Sequence, residues 1–327
     1  MRVFKWIGVG VLLIPGLLWG GIKSNLATTK PYTFEQGAIL HPNDWVYWQY
    51  YNGRSGIDPN GNSGGLFRNI SHVYEDGLLF GYMEGSTLYM VGNQYFNTWS
   101  PLEERIYRIR KDWRRLSQSE IIHELGTMGI SPITDADIQR FLDFLAYNWE
   151  NWPWQEGAPW VDVNDNGVYD PDDDIAGYSF ADDMVFYRIT DQDSSLVEKY
   201  FCGYPLGLQL DVLVWGVNAA SSVLNQALFK TVRFRNIRGR SLDSLHFSVW
   251  VDADVGSYSD DVVGCDSVLG LAYTYNGRNS DPEFEKYGLN PGAVGYDVVL
   301  GPWIAYKGDT DWIRGEKVEN YKNLSMT

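Results

Sequence analysis

The chain has 327 residues, 44% of them hydrophobic and only 21% charged, a balance that suits a packed globular protein and excludes wholesale disorder. With 42 Asp and Glu against 26 Lys and Arg, the formal net charge is −16, which argues against sequence-independent binding to nucleic acid or to an anionic membrane. Fourteen Trp, 22 Tyr and 14 Phe, together with 34 Gly, favour β structure over long helices.

The acid is unevenly placed. Residues 1–150 carry 13 basic and 15 acidic side chains, whereas residues 151–327 carry 13 and 27. Ten of the 28 Asp fall between Asp162 and Asp193. Asp is short and tolerates turns, so this enrichment points to loops that either solvate or bind hard cations.

In chain order, residues 1–27 read as a secretory signal. Arg2 and Lys5 form a basic start, and Trp6 to Gly21 is a 16-residue uncharged stretch. That is short of the roughly 20 apolar residues that span a bilayer, and Pro15-Gly16 interrupts it. Cleavage is weakly marked, at Gly20, Gly21, Ser24 or Ala27, and an uncleaved anchor is the alternative. The expected location is secreted or cell-surface, with no membrane insertion beyond this segment. There are two cysteines, Cys202 and Cys265, which either form one disulfide in an oxidising compartment or stay as buried thiols.

Residues 28–150 read as a β-rich region with two helices. Trp45 to Tyr51 is an aromatic strand, and Leu78–Tyr82 with Ser86–Val91 forms a hairpin through Glu84-Gly85. Arg105 to Arg110 alternates charged and apolar residues, as a half-exposed strand does. Ser117-x-x-Glu120 is a capping box opening a helix over about 117–125. Thr134-x-x-Asp137 opens a second over about 134–149, with Ile138, Phe141, Leu142, Leu145 and Trp149 on one face.

Residues 151–327 read as an acidic β-sandwich region. Leu206–Trp215, Ala227–Ile237 and Leu245–Val251 look like three strands of an antiparallel meander. The expected fold is therefore mainly β, an antiparallel sandwich-like architecture with two inserted helices, and any boundary lies near Trp149 to Pro159.

Ahead of those strands, residues 162–174 read Asp-Val-Asn-Asp-Asn-Gly-Val-Tyr-Asp-Pro-Asp-Asp-Asp. Against a twelve-residue calcium loop, Asp162, Asn164 and Asn166 take positions 1, 3 and 5. Gly167 takes the sharp turn, Val168 offers its carbonyl at 7, Asp170 stands at 9 and Asp173 at 12. An all-oxygen set suits calcium and not zinc or copper. Glu would be the usual twelfth ligand; Asp173 is one methylene shorter, so Asp172 or Asp174 can replace it. No helix flanks the loop, so it is not an EF-hand domain, but it resembles the loops of dockerins and other extracellular calcium repeats. The plain alternative is a solvated acidic turn.

Asp252, Asp254, Asp260, Asp261 and Asp266 form a looser acidic group that either holds another cation or is a polar loop. No GxxxxGK[ST] or GxSxG is present, and the histidines at 41, 72, 123 and 246 are scattered, so no catalytic residue is assigned. Trp149, Trp152, Trp154 and Trp160, and Trp45, Tyr47, Trp48 and Tyr51, either fill a core or form platforms for sugar rings.

Several blocks together resemble segments of large secreted bacterial proteins that often end in a type IX secretion sorting domain. They are Asn52-Gly-Arg-Ser-Gly with Gly64-Gly-Leu-Phe67, Gly157-Ala-Pro-Trp-Val-Asp-Val-Asn164, Leu206-Gly-Leu-Gln-Leu210, Leu228-Phe-Lys230, Asp252-Ala-Asp-Val-Gly256 and Asp260–Asp266. The resemblance spans roughly 45–305 and implies an extracellular protein with β-rich modules and no established catalytic residue. No sorting domain follows, and the ending at Thr327 reads as a truncation. The expectation is an exported, calcium-stabilised surface, scaffold or adhesion protein, with cell-surface or polysaccharide components as partners. The alternative is a carbohydrate-binding or carbohydrate-degrading protein using exposed Trp and a carboxylate pair.

Overall fold

The computed structural model describes residues 33–239, 241–242, 245–299, 303–313 and 316–323; the expected signal segment lies outside them. These residues divide into two units, one up to Asp254 and one from Val255 onward.

The first unit begins with β1 (Gly37–Leu40), β2 (Trp45–Tyr50), β3 (Gly65–Phe67), β4 (Ile70–Val73), β5 (Glu75–Glu84), β6 (Thr87–Gly92), β7 (Ser100–Pro101) and β8 (Tyr107–Arg110). Then come α1 (Gln118–Thr127) and α2 (Asp135–Glu150), the short strands β9 (Trp160–Val161) and β10 (Ile175–Ala176), and β11 (Asp183–Thr190). Helix α3 (Ser194–Phe201), β12 (Leu208–Gly216), β13 (Leu228–Asn236) and β14 (His246–Asp252) complete it. Both expected helices form, each opened by its capping box: Ser117 with Glu120, and Thr134 with Asp137. The β5–β6 hairpin also forms, with Glu84 opposite Thr87 and Gly85 at φ +60°.

The fold is mainly β, in antiparallel sheets. One sheet runs β13-β12-β11-β7, with β8 also pairing β11; β1-β2-β3-β4 and β14-β5-β6 supply the facing layer. Along β12, Leu208, Leu210, Val212 and Val214 point to one face and Leu213 and Trp215 to the other, and nearly all are buried. A strand covered on both sides has no solvent face, which is why its sequence is almost continuously apolar. Across the first face, Phe80 meets Phe234 edge-on at 5.6 Å and Lys230 reaches Asp76 at 3.1 Å. The other face packs on a second layer built from Trp149, Trp152, Tyr169 and Ala176, with Trp154 and Trp160 half-buried at its rim.

Three expectations need correction. Strand β14 does not continue the meander after β13: it pairs β5, with Val249 opposite Leu78. The segment around Arg105–Arg110 is not a half-exposed strand, because Arg108 is only 1% exposed. A boundary near residue 150 is crossed by the β8–β11 and β5–β14 pairings, and the division falls at Asp254/Val255 instead.

The second unit holds β15 (Asp261–Asp266), β16 (Leu271–Asn276), the one-turn α4 (Pro282–Glu285), β17 (Ala293–Asp297), β18 (Trp303–Ile313) and β19 (Glu316–Asn323). Its sheets are β15-β16-β17 and the β18–β19 hairpin.

Candidate calcium loop and the buried charge nodes

Strands β9 and β10 pair antiparallel, Val161 opposite Ile175, and so close residues 162–174 into a loop. Asx side chains shape it by capturing backbone N–H groups a few residues on. Asn166 N–H donates to Asp162 Oδ1 (3.1 Å) and Asn164 Oδ1 (3.2 Å), and Gly167 N–H donates to Asp162 Oδ2 (2.7 Å). Val168 N–H donates to Asn166 Oδ1 at 2.7 Å. Gly167 has φ +76° with open space around it, so the left-handed backbone rather than crowding calls for glycine there.

The first three expected ligands, Asp162, Asn164 and Asn166, are thus gathered on one turn. Asp170 and Asp173 lie on the return half, where Asp173 N–H donates to Asp170 O at 3.2 Å and Asp170 Oδ1 accepts from Asp172 N–H at 3.1 Å. Asp173 is exposed. The residue that ties the two halves together is Asp174, only 4% exposed. Its Oδ1 accepts from Val163 N–H and its Oδ2 from Asp170 N–H, both at 2.8 Å. The alternation of Asp and Asn shows the turn; the clamp at Asp174 depends on burial, which spacing does not reveal.

The floor of the loop is aromatic. Tyr169 Oη donates to Trp149 O at 2.7 Å, and Trp149 Nε1 donates to Pro171 O at 2.9 Å. Trp152 Nε1 donates to Pro159 O at 2.7 Å. The tryptophans that lead into the loop are therefore its support. Among the side chains described, every tryptophan is buried or half-buried.

No ion pair among the described residues includes a carboxylate of this loop. Elsewhere the chain supplies its own cations. Arg108 on β8 forks onto Asp183 of β11, Nε to Oδ1 at 3.0 Å and Nη2 to Oδ2 at 2.7 Å, and its Nη1 bonds Glu124 of α1. Arg110 completes Glu124 at 2.7 Å, and His41 N–H donates to Asp183 Oδ2 at 2.8 Å. Burial alone would raise the Glu124 carboxyl, but Arg108 and Arg110 outweigh it and hold it below the ordinary carboxylate value. A second node has Asp211 on β12 bonded by Arg188, Arg233 and Arg235 from its two neighbouring strands.

The first node floors an open cleft of about 270 Å³ lined by His41, Arg110, Ser119, Glu120, His123 and Glu124. The structure thus brings together two histidines that looked scattered, His41 and His123, with ring centres 6.2 Å apart. Burial lowers the His41 imidazole below its ordinary value and so favours the neutral ring. His72 is a core residue whose Nδ1 lies 3.0 Å from Ile70 O.

The two cysteines lie in different units, and both are exposed rather than buried. The looser acidic group is split by the unit division, with Asp252 and Asp254 on one side and Asp260, Asp261 and Asp266 on the other. Among the described residues, no three His, Cys, Asp or Glu side chains are grouped to hold a metal by themselves. A cation in the 162–174 loop would therefore draw on the Asn oxygens and the Val168 carbonyl as well. No described helix is long and apolar enough to cross a membrane. Compared with known proteins, the chain matches no family model, no curated protein and no solved structure.

Proposed function

We propose that this protein is an exported, calcium-stabilised, β-rich surface or scaffold protein of the adhesion type, with residues 162–174 as its structural cation site. The observation that carries the reading is the backbone of the loop. Asp162, Asn164 and Asn166 are oriented by N–H donors on one turn, beside the left-handed Gly167, with no Lys or Arg paired to the loop carboxylates among the described residues. The donor chemistry fits a hard cation: Asp162, Asn164, Asn166, Asp170, Asp173 and the Val168 carbonyl supply oxygen alone. Bound calcium neutralises a self-repelling segment and so fixes the loop on the α2 end through Tyr169 and Trp149. Extracellular calcium is abundant enough for a weak, millimolar-class site of this kind. The tryptophans and the arginine–carboxylate nodes serve packing, which favours a structural role over a chemical one. Cell-surface or polysaccharide components are the partners such a role implies.

Thermal melting of the protein in EDTA, then with millimolar calcium, then with magnesium, tests the reading. At a concentration about 100 times Kd, calcium stabilises by about 2.7 kcal/mol, which for a domain of this size is a rise in Tm of about 5–10 °C. Asp162→Ala removes most of that rise. An unchanged Tm in calcium would leave a solvated acidic turn and remove the calcium half of the proposal.

A further inference from the structure

In the second unit, one cross-strand pair buries two oxygens with nothing to bond. Asp261 opens β15 and Asn276 closes β16, and the register sets them directly opposite. Their Cβ atoms therefore share a face about 4.5–5.5 Å apart. Asp261 Oδ2 accepts from Val255 N–H at 2.9 Å, but its Oδ1 is buried without a hydrogen-bond partner. Asn276 is 7% exposed, and its Nδ2 donates to Arg278 O at 2.8 Å. That bond fixes the amide orientation and leaves Asn276 Oδ1 buried and equally unpartnered.

The surroundings are acidic. Burial raises the Asp261 carboxyl above its ordinary value, and Asp260 and Asp281 push it the same way. Asp281, 1% exposed, is committed: its Oδ1 accepts from Glu283 and Phe284 N–H and its Oδ2 from Ser257 N–H. The cation paired with Asp260 is Arg278, 3.6 Å away and 77% exposed. Two buried acceptors on one face, in a field of carboxylates, are costly to leave unpaired unless a positive partner meets both.

We infer that a divalent hard cation, calcium in an extracellular setting, binds between Asp261 Oδ1 and Asn276 Oδ1. Carbonyl oxygens and water fill its remaining positions. Oxygen donors without nitrogen or sulfur select calcium or magnesium over transition metals, and the tolerance of calcium for irregular, hydrated coordination suits a site with only two side-chain ligands. The site is distinct in sequence and in structural unit from the 162–174 loop.

Equilibrium dialysis of the full chain with radioactive calcium at pH 7.5 tests it, in an Asp162→Ala background so that the two sites are read apart. Asp162→Ala protein should still bind one calcium per chain. Adding Asp261→Ala should abolish that binding, with folding checked by circular dichroism. Adding Asn276→Asp instead should tighten it several-fold, because a second carboxylate joins the ion. If Asp261→Ala prevents folding, Asn276→Asp decides alone: weaker binding, or a stability loss that calcium does not rescue, overturns the inference. No calcium bound to Asp162→Ala protein overturns it too. Undiminished total binding in that variant, removed by Asp261→Ala, supports this site while sinking the loop reading.

Discussion

The Arg108 node and the 162–174 loop both concentrate carboxylates within one unit, but they balance the charge in opposite ways. In the node, Asp183 and Glu124 are almost wholly buried, and two arginines from β8 meet them with four N–H contacts. In the loop, Asp162, Asp170 and Asp174 are met by backbone N–H groups, and no guanidinium or ammonium pairs with them among the described residues. A buried carboxylate needs its partners built into the chain, as arginines at Asp183 and Glu124 or as backbone N–H groups at Asp174, whereas the half-buried Asp162 and Asp170 stay within reach of the solvent. The first arrangement is fixed at folding; under the proposed calcium reading, the second responds to the medium.

The comparison breaks most sharply at Arg108. Replacing it by Met leaves Asp183 and Glu124 buried with one partner fewer each, a loss of about 3–5 kcal/mol. Urea unfolding measures it, and a loss below about 1 kcal/mol would mean that the node contributes little to the fold. Asp174→Ala sharpens the loop side. It strips the acceptor from two backbone N–H groups and should cost about 1–3 kcal/mol in EDTA as well as in calcium. Asp173→Ala, at an exposed position, should change stability in calcium only. Equal effects of the two substitutions in EDTA would show that Asp174 is not the clamp.

The smallest effect is a pH slope. Burial lowers the imidazoles of both His41 and His72 from an ordinary value of 6.5; Glu124 and Asp183 oppose this at His41, where Arg108 and Arg110 reinforce it. The folded state therefore favours the neutral rings. Their contribution is full above about pH 6.5 and is lost as pH falls through the lowered values, by at most about 1.4 kcal/mol per pH unit for each ring. Urea midpoints recorded from pH 7.5 to 5 should fall in the wild type and flatten in the His41→Gln, His72→Gln double variant. Parallel curves would assign the acid sensitivity to carboxylates instead.

What was legible beforehand was local. The capping boxes at Ser117 and Thr134, the hairpin through Gly85 and the turns at Asp162, Asn164 and Asn166 each depend on residues within a few positions of one another. The errors concern partners far apart in the chain. Strand β14 pairs β5 across more than 160 residues, and Arg108 is buried because Asp183, 75 residues on, waits for it. Arg105–Arg110 does alternate charged and apolar residues, but alternation does not say whether the polar face meets water or a buried acid.

By itself, then, the sequence determined a β-rich chain, its two capped helices and an acidic loop of calcium-like spacing, since backbone preference and short-range hydrogen bonding act within a few residues. The tertiary structure decided which carboxylates found arginines, which tryptophans became a floor, that His41 meets His123 and that Asp261 faces Asn276. Each of these follows from strand register and sheet packing, which bring distant residues to one face and thereby set their burial and charge balance.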